Sequence, residues 1–244
     1  MENYIVLFYL LLLFVSFLYS SVGHGGASGY IALMALFSFV PQEIRTNALM
    51  LNVIVASIAF LQYIRIEKIH TNIMVPLFLA SIPMAYLGGS ITLNTTPYKW
   101  LLAIVLLIPI VRFLGVFPEK SENINTPNTF VLLLIGGGIG LLSGLIGIGG
   151  GIILTPILIL AGWTTVKQAA VLSALFIVVN SIAGLLGLIN KGFYVPDSFT
   201  LMAIVAIIGG TFGAYFGVNK FNPKFLKKIL AIVLIIAVIK LVSV

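Results

Sequence analysis

Long apolar runs with almost no charge inside them dominate this chain of 244 residues. Hydrophobic residues make up 61% of the sequence and charged residues 8%, which leaves too little polar surface to cover a water-soluble globule. The carboxylates all fall before, between or at the edges of the runs, at Glu2, Glu43, Glu67, Glu119, Glu122 and Asp197. Because a charge in hydrocarbon is costly, the pattern predicts an integral membrane protein.

Charge and cysteine content narrow the functional classes. The net charge is +7, and in a soluble domain such an excess suggests nucleic-acid binding. Here the basic residues flank apolar spans, which is typical of the cytoplasmic anchors of a membrane protein, so we expect membrane lipid and no nucleic acid as a partner. The chain has no cysteine, which excludes disulfides and thiolate metal sites within it. We expect no metal and no cofactor.

The apolar runs are of two kinds. A helix that spans a bilayer needs about 20 apolar residues, and the runs at 46–64, 73–92, 97–111, 169–189, 198–218 and 227–241 come close enough to qualify. Two other segments are interrupted by glycine-rich sequence. The run 4–22 leads through Gly23-His24-Gly25-Gly26 into a short apolar run, and 130–146 leads through Gly147-Ile148-Gly149-Gly150-Gly151 into another. Both indicate helices broken by glycine.

The interrupted segments belong to an internal repeat. A shift of about 124 positions, with one or two more near the end of each half, brings residues of the halves into register. The matched pairs are Gly23 with Gly147, Gly25 with Gly149, Gly26 with Gly150, Ser57 with Ser181, Gly88 with Gly213 and Pro97 with Pro223. Apolar sequences also align by chance, but ordered Gly, Ser and Pro matches argue against chance here. We predict a first transmembrane repeat at 1–117, a linker at 118–128 and a second transmembrane repeat at 129–244.

The positive charges indicate how the halves are oriented, because Lys and Arg in short loops collect on the cytoplasmic side. One possibility is that each broken pair enters the membrane and returns to the same side, either as a re-entrant hairpin or as two crossings. In that case nine of the 13 cations share one side of the membrane, and the other side has only Arg45, Lys99, Lys191 and Lys240. If each pair makes one net crossing, the bias almost disappears. The first arrangement gives each half an odd number of crossings, so the repeats are inverted.

The predicted fold is therefore an all-α integral membrane protein with two inverted-topology repeats. Each repeat has a Gly-broken helix pair, re-entrant or short, followed by three transmembrane helices. Alternating-access transporters share this layout and hold substrate near the midplane at the breaks. Unwound glycine backbone leaves amide N–H groups without intrahelical partners, and a helix that starts after the break points its partly positive end at the gap. The sequence thus favours a site for a small anion.

The predicted substrate-binding residues lie at the breaks and on the helices that follow them. They are His24, Gly25, Gly26, Ser28, Asn52, Gly149, Gly150, Gly151, Ser173 and Asn180. His24 titrates near neutral pH, so it either donates to the anion or carries a proton with it; the alternative is a neutral histidine bonded to a backbone carbonyl. For the glycines the alternative is close helix packing, and for Asn52, Ser173 and Asn180 it is hydrogen bonding between helices.

Groups that the spans lack also bear on mechanism. No Asp or Glu lies inside a span, so the usual carboxylate for proton or sodium coupling is absent. We also expect no buried Arg or Lys to form a fixed anion clamp. Substrate charge is then met by helix ends, hydroxyls, amides and His24.

The glycine-rich motifs carry a resemblance to a known family. The segment Gly147-Ile148-Gly149-Gly150-Gly151-Ile152-Ile153-Leu154-Thr155-Pro156-Ile157-Leu158, with the weaker Gly23-His24-Gly25-Gly26-Ala27-Ser28-Gly29-Tyr30, resembles the TauE/SafE sulfite-exporter family, also called the toluenesulfonate uptake permeases. The resemblance covers essentially the whole chain. It implies movement of sulfur-containing anions, such as sulfite or organosulfonates, across the bacterial cytoplasmic membrane. The first-half motif departs from the pattern at Ala27 and adds His24, which leaves the particular substrate open.

Two other functional classes compete with a permease. A polytopic membrane enzyme needs a base or nucleophile beside a partner, and His24 has no carboxylate or cysteine within the spans. An assembly factor that uses His24 does not need two broken helices at matching positions. We therefore expect a multi-pass permease of the cytoplasmic membrane and not an enzyme; homo-oligomerisation stays open.

The inverted arrangement places both termini outside the cytoplasm. Reporters fused before Met1 and after Val244 are expected to be active only on the non-cytoplasmic side, because an odd number of crossings in each half returns the chain to its starting side. A reporter fused within the linker 118–128 is the matched control and is expected on the cytoplasmic side. A cytoplasmic C-terminal reporter contradicts the arrangement.

Overall fold

The structure, a computed structural model, describes residues 2–21, 26–65, 67–115, 127–189, 192, 195–196, 199–220 and 223–243. The described residues form ten α-helices and no strand. Most of the predicted linker 118–128 lies outside the described residues. The helices divide into two sets of five along the chain, and each set contains one helix of only 10 residues.

The helices follow one order of long and short elements in both sets. The first set comprises α1 (Glu2–Ser21), α2 (Ala27–Leu36), α3 (Pro41–Tyr63), α4 (Thr71–Ser90) and α5 (Thr95–Phe113). The second set comprises α6 (Thr129–Ile146), α7 (Gly151–Leu160), α8 (Val166–Ile189), α9 (Phe199–Lys220) and α10 (Pro223–Ser243). The predicted glycine-broken pairs therefore correspond to α1 with α2 and to α6 with α7.

Several helices are long and apolar enough to cross a membrane. By length and composition, α3, α4, α5, α6 and α8 qualify among the described residues. Large apolar side chains such as Leu79, Ile104 and Leu134 point outward on these helices, as expected where the surrounding medium is hydrocarbon. The chain is a multi-pass membrane protein.

The two short helices lie in the centre of the protein. Residues 27–35 of α2 are all buried, and α7 is buried along nearly its whole length. Both helices are apolar on every side, which is the pattern of a helix surrounded by protein. Their positions are set by neighbouring helices rather than by lipid.

The short helix α2 runs back along α1. The ring of Phe8, near the start of α1, stacks on Phe39 and meets Phe37 edge-on just past the end of α2, both at 5.2 Å. At the other end of the pair, the Tyr19 hydroxyl lies 2.7 Å from Ser28 Oγ. Consequently α2 returns toward the end of the bundle where α1 begins.

Glycine allows helices of the two sets to pack backbone against backbone. A Cβ atom at Gly136, Gly140 or Gly144 of α6 would overlap the carbonyl oxygens of Leu77, Ser81 or Ala85 of α4, respectively. Because these contacts advance in the same direction on both helices, α4 and α6 run parallel. The α1–α9 pair is also parallel, since Gly209 meets Leu13 and Gly213 meets Phe17.

A cavity of about 190 Å³ brings helix ends from both sets together. It is lined by the last turns of α2 and α10 and by the first turns of α3 and α5, with Ala35, Pro41, Thr95 and Lys240 in its wall. We call this end of the bundle the Lys240 end. The last turns of α3 and α5 and the start of α8 lie at the opposite end, which we call the Lys167 end.

The α4–α6 contact predicts that a methyl group added at Gly144 destabilises the fold. Gly144→Ala should lower the free energy of unfolding by about 1–3 kcal/mol, because the new methyl group overlaps backbone atoms of α4 that cannot move aside. Thermal unfolding of the purified protein in detergent measures the effect. Gly138→Ala on the same helix is the control, since nothing lies within 4 Å of its Cβ position. Equal melting temperatures for the two variants contradict the packing.

Candidate functional site

Both glycine-rich breaks border a single cavity of about 180 Å³. Gly26 and Ala27 line it from the first break, and Gly151 and Ile152 line it from the second. Side chains of α1, α3, α5 and α8 complete the wall. The cavity is thus shared by the two halves of the chain.

The short helices are about half as long as the hydrocarbon core of a bilayer is thick. Each has 10 residues, which corresponds to about 15 Å at 1.5 Å per residue. The hydrocarbon core of a bilayer is about 30 Å thick. A helix of this length that ends at one membrane surface therefore begins close to the midplane, and both short helices begin at the cavity.

Left-handed backbone explains why glycine is required at the breaks. Gly26 has φ 80° and Gly150 has φ 77°, a region that residues with a Cβ atom rarely adopt. The surroundings leave no space either. A Cβ at Gly26 would lie 2.5 Å from the Tyr30 ring, and one at Gly150 would lie 2.7 Å from the Phe176 ring.

The amino ends of α2 and α7 present backbone donors to the cavity. The first intrahelical bonds are donated by Gly29 and Tyr30 in α2 and by Ile153 and Leu154 in α7. The amides that precede them have no intrahelical acceptor, and no side chain caps either helix. Each helix also carries a partial positive charge at this end. Together these groups favour an anion.

Hydroxyl groups flank the second break. Thr155 Oγ1 lies 2.7 Å from the carbonyl oxygen of Gly151 and 2.8 Å from Ser173 Oγ. Thr155, Ser173 and Gly151 all line the cavity. This hydrogen-bonded chain fixes the hydroxyls at the start of α7, where they supply donors or acceptors to a bound group.

Two cationic side chains lie at the Lys167 end of the cavity. Arg112, at the end of α5, is half-buried, and Lys167, at the start of α8, is exposed. No carboxylate lines the cavity. The described residues also contain no group of three or more His, Cys, Asp or Glu side chains that could hold a metal ion. The described wall of the cavity therefore carries two cationic side chains and no carboxylate.

The structure separates the predicted site residues into groups. Gly26, Gly151 and Ser173 line the cavity, whereas Gly149 and Gly150 lie in the second break just behind its wall. Ser28 is buried against Tyr19. Asn52 and Asn180 are buried on α3 and α8, but neither lines the cavity. His24 and Gly25 lie outside the described residues.

Sequence reasoning missed Arg112, Lys167 and Tyr63 as lining residues. The two cations were interpreted only as membrane anchors, because a Lys or Arg that follows an apolar run looks the same in either role. Tyr63 ends α3 and gave no signal of its own. Their nearness to the breaks arises from helices that are distant in sequence.

Arg45 is a buried cation, which the pattern of apolar runs did not predict. Its side chain is only 4% exposed, because α3 begins at Pro41 and includes it. The guanidinium donates to the carbonyl oxygen of Ile91 at 2.7 Å and to those of Gly88 and Gly89 at 2.5 Å. Arg45 thus satisfies the carbonyl end of α4, where a cation is favoured by the helix dipole.

Lys240 has a similar role at the end of α2. Its ammonium donates to the carbonyl oxygen of Leu36 and lies 3.0 Å from Ser38 Oγ. Arg45 and Lys240 are two of the four cations that the charge tally placed on the minority side. Both donate to backbone carbonyls near helix ends.

Comparison with known proteins agrees with this architecture. The family model for the sulfite exporter TauE/SafE matches residues 8–241. The chain belongs to this family. A probable membrane transporter protein, y4hK of Sinorhizobium fredii, is 31% identical over 231 residues, which cover 93% of this chain and 94% of the relative.

A second relative of this TauE/SafE member comes from an archaeon. A probable membrane transporter protein of Methanocaldococcus jannaschii is 27% identical over 194 residues, covering 72% of this chain and 70% of the relative. No solved structure matches the chain. The resemblance first drawn from the glycine motifs is confirmed, and the chain is a member of a membrane transporter family.

Arg45 gives a testable consequence for stability. Arg45→Lys should lower the free energy of unfolding by about 2 kcal/mol, because a lysine ammonium cannot reach the three carbonyls of α4 in the geometry of the guanidinium fork. Thermal unfolding in detergent measures the loss. Arg65→Lys, at an exposed position just after α3, is the control. Equal stability of both variants rules out the capping role.

Proposed function

We propose that this protein is a permease that moves small, sulfur-containing anions, such as sulfite or organosulfonates, across the cytoplasmic membrane. The single observation that carries the proposal is that the amino ends of two half-length helices border one cavity at the middle of the bundle. Helix amino ends, hydroxyls and two cations form a lining suited to negative charge. The family of sulfite exporters supplies the link to sulfur.

The size of the cavity suits a small substrate. A cavity of about 180 Å³ is several times larger than the space that one water molecule needs. Sulfite with part of its hydration shell, or a short organosulfonate, is of this size. Ser173, Thr155 and the first amides of α2 and α7 are the groups that would contact it, and the predicted role of His24 is retained as a proposal.

The proposed topology is a pair of inverted repeats, 1–117 and 129–244, joined by 118–128. Its support comes from which helices pack together. In the other half of the chain, the counterpart of α4 is α9 and the counterpart of α6 is α1. The pairs α4–α6 and α9–α1 are both parallel. In addition, α3 and α5 run from the Lys240 end to the Lys167 end, whereas their counterparts α8 and α10 run the opposite way.

This topology assigns the Lys167 end to the cytoplasm. Arg65, Lys68, Arg112 and Lys167 follow or precede helix ends there, in agreement with the positive-inside rule. Both termini then lie outside the cytoplasm. The exposed side chain of Lys167 lines the cavity at this end, so on this proposal the chain is in an inward-facing state of an alternating-access cycle.

On this proposal, contacts that α3 and α5 make with the second break form the barrier in this state. Tyr98 donates its hydroxyl proton to the carbonyl oxygen of Ile146 at 3.0 Å, and Asn52 Nδ2 donates to that of Gly147 at 3.1 Å. Both bonds join the first half of the chain to the second break. On this proposal they hold the second break closed on the external side, and transport requires them to rearrange.

Flux through proteoliposomes tests the proposed function. We expect saturable uptake of radiolabelled sulfite or of a radiolabelled short sulfonate. Unlabelled sulfite should inhibit this uptake by competition, whereas a neutral molecule of similar size should not. Liposomes without protein provide the baseline. Absence of saturable movement for sulfite, sulfonates and carboxylates alike would sink the proposal.

Variants connect the flux to the breaks. Gly150→Leu should reduce transport at least about tenfold, because a side chain at φ 77° strains the turn and collides with Phe176. His24→Ala should also impair it. Gly138→Leu, at an exposed position on α6, is the control for expression and membrane insertion. Normal transport by both Gly150→Leu and His24→Ala would remove the breaks from the mechanism.

A further inference from the structure

The wall of the anion cavity is polar in one part and apolar in another. At the breaks it includes the uncapped amino ends of α2 and α7 and the hydroxyl of Ser173. Between the breaks and the cations at the Lys167 end, α3 and α8 contribute small apolar side chains. These lining residues are Ala56, Ala59, Ala170 and Ala174. One part of the wall can therefore hydrogen-bond to a ligand, whereas the four alanines cannot.

Helix geometry orders the four alanines along the cavity. On α8, Ser173 is hydrogen-bonded to a side chain in the first turns of α7, so its neighbour Ala174 lies level with the second break. Ala170 is about one turn earlier on α8 and hence nearer the Lys167 end, where this helix starts. On α3, which ends there, Ala59 lies beyond Ala56 in the same direction. Ala59 and Ala170 are thus farther from the breaks than Ala56 and Ala174.

Alanine in the wall affects an inorganic ion and an organic anion differently. The oxygens of sulfite accept hydrogen bonds in water, and an alanine methyl group cannot replace those bonds when the ion is buried. A hydrocarbon group, in contrast, gains free energy when it moves from water to an apolar wall. The small side chains also leave room for such a group in the cavity of about 180 Å³. An anion with a short hydrocarbon group therefore matches both parts of the wall.

The orientation of such a ligand follows from where its charge is best stabilised. The amino ends of α2 and α7 are buried, and an electrostatic interaction is strongest away from water. Lys167 is exposed, so solvent and salt screen its charge. A charged group placed at Arg112 and Lys167 would also push the hydrocarbon against the amides and hydroxyls at the breaks, which would then lose hydrogen bonds. The charged group therefore belongs at the breaks.

We propose that the four alanines form a subsite for a short hydrocarbon group on the transported anion. This inference rests on the proposed function, in which the charged group lies at the amino ends of α2 and α7. With the charge held there, the hydrocarbon extends between α3 and α8 toward the Lys167 end. The four alanines then determine specificity, because they favour a short alkylsulfonate over sulfite and limit the length of its chain.

Binding of sulfite, methanesulfonate and propanesulfonate tests the subsite. Thermal unfolding of the purified protein in detergent, at constant ionic strength, gives a half-saturating concentration for each anion, because a ligand of the folded state stabilises it. Propanesulfonate should bind roughly tenfold more tightly than methanesulfonate, since it buries two more methylene groups. It should also bind more tightly than sulfite, and uncharged propanol is the control without effect. Equal binding of the two sulfonates, or tighter binding of sulfite than of propanesulfonate, overturns the proposal.

Matched alanine variants of α8 locate the subsite. Ala170→Val should raise the half-saturating concentration of propanesulfonate by roughly tenfold but that of methanesulfonate by less than about twofold, because only the longer chain reaches this position. Ala183→Val is the control for added volume, since Ala183 is on the same helix but does not line the cavity. An equal shift for both sulfonates in Ala170→Val, or no shift for either, contradicts the assignment.

Ala59→Val provides a second variant, from α3, in case Ala170→Val does not fold. Ala59 is half-buried, and the same selective loss of propanesulfonate binding is expected. An unchanged preference for the longer chain in this variant also overturns the subsite. Flux separates the two proposals. Saturable movement of sulfite without a preference for alkylsulfonates refutes the subsite alone, whereas absence of binding and movement for every one of these anions refutes the permease and the subsite with it.

Discussion

The structure depends on how backbone N–H and C=O groups are satisfied where helices stop inside a membrane. In hydrocarbon, water is not available to these groups, so each helix end needs a partner from the protein or a ligand. The carbonyl ends are met by side chains. Arg45 caps α4, Lys240 caps α2, and Tyr98 and Asn52 bind the last carbonyls before the second break. The amino ends of α2 and α7 have no such cap and border a cavity. This difference between the two kinds of helix end supports the proposal that the cavity binds an anion.

Close packing through glycine gives the breaks a rigid frame. The parallel pairs α4–α6 and α1–α9 each combine one helix from either half of the chain, and their backbones touch where glycine replaces a side chain. The halves are therefore interlocked, and neither forms a separate body.

Much of the fold was predictable because the membrane imposes strict rules on sequence. Apolar runs of spanning length predicted the long helices, and Gly26 and Gly150 marked the breaks because left-handed backbone in a membrane segment requires glycine. Membership of the sulfite exporter family followed from the same motifs and is confirmed. The cavity wall was harder to predict. Arg112 and Lys167 follow and precede apolar runs as anchors do, and Arg45 was assigned to a loop because the start of α3 at Pro41 includes polar residues.

The sequence by itself determined that the chain is a helical membrane protein with two glycine-broken segments, because hydrophobicity and backbone conformation are local properties of a residue and its neighbours. Only the tertiary structure decided which groups surround the breaks, since those groups come from helices far apart in the chain. It brought Gly26 and Gly151 to one cavity, turned Asn52 toward the carbonyl of Gly147, and buried Arg45 against the end of α4. An amide such as that of Asn52 has both a donor and an acceptor. Which group that amide binds is decided by the packing of α3 against the second break, and no local sequence pattern contains that choice.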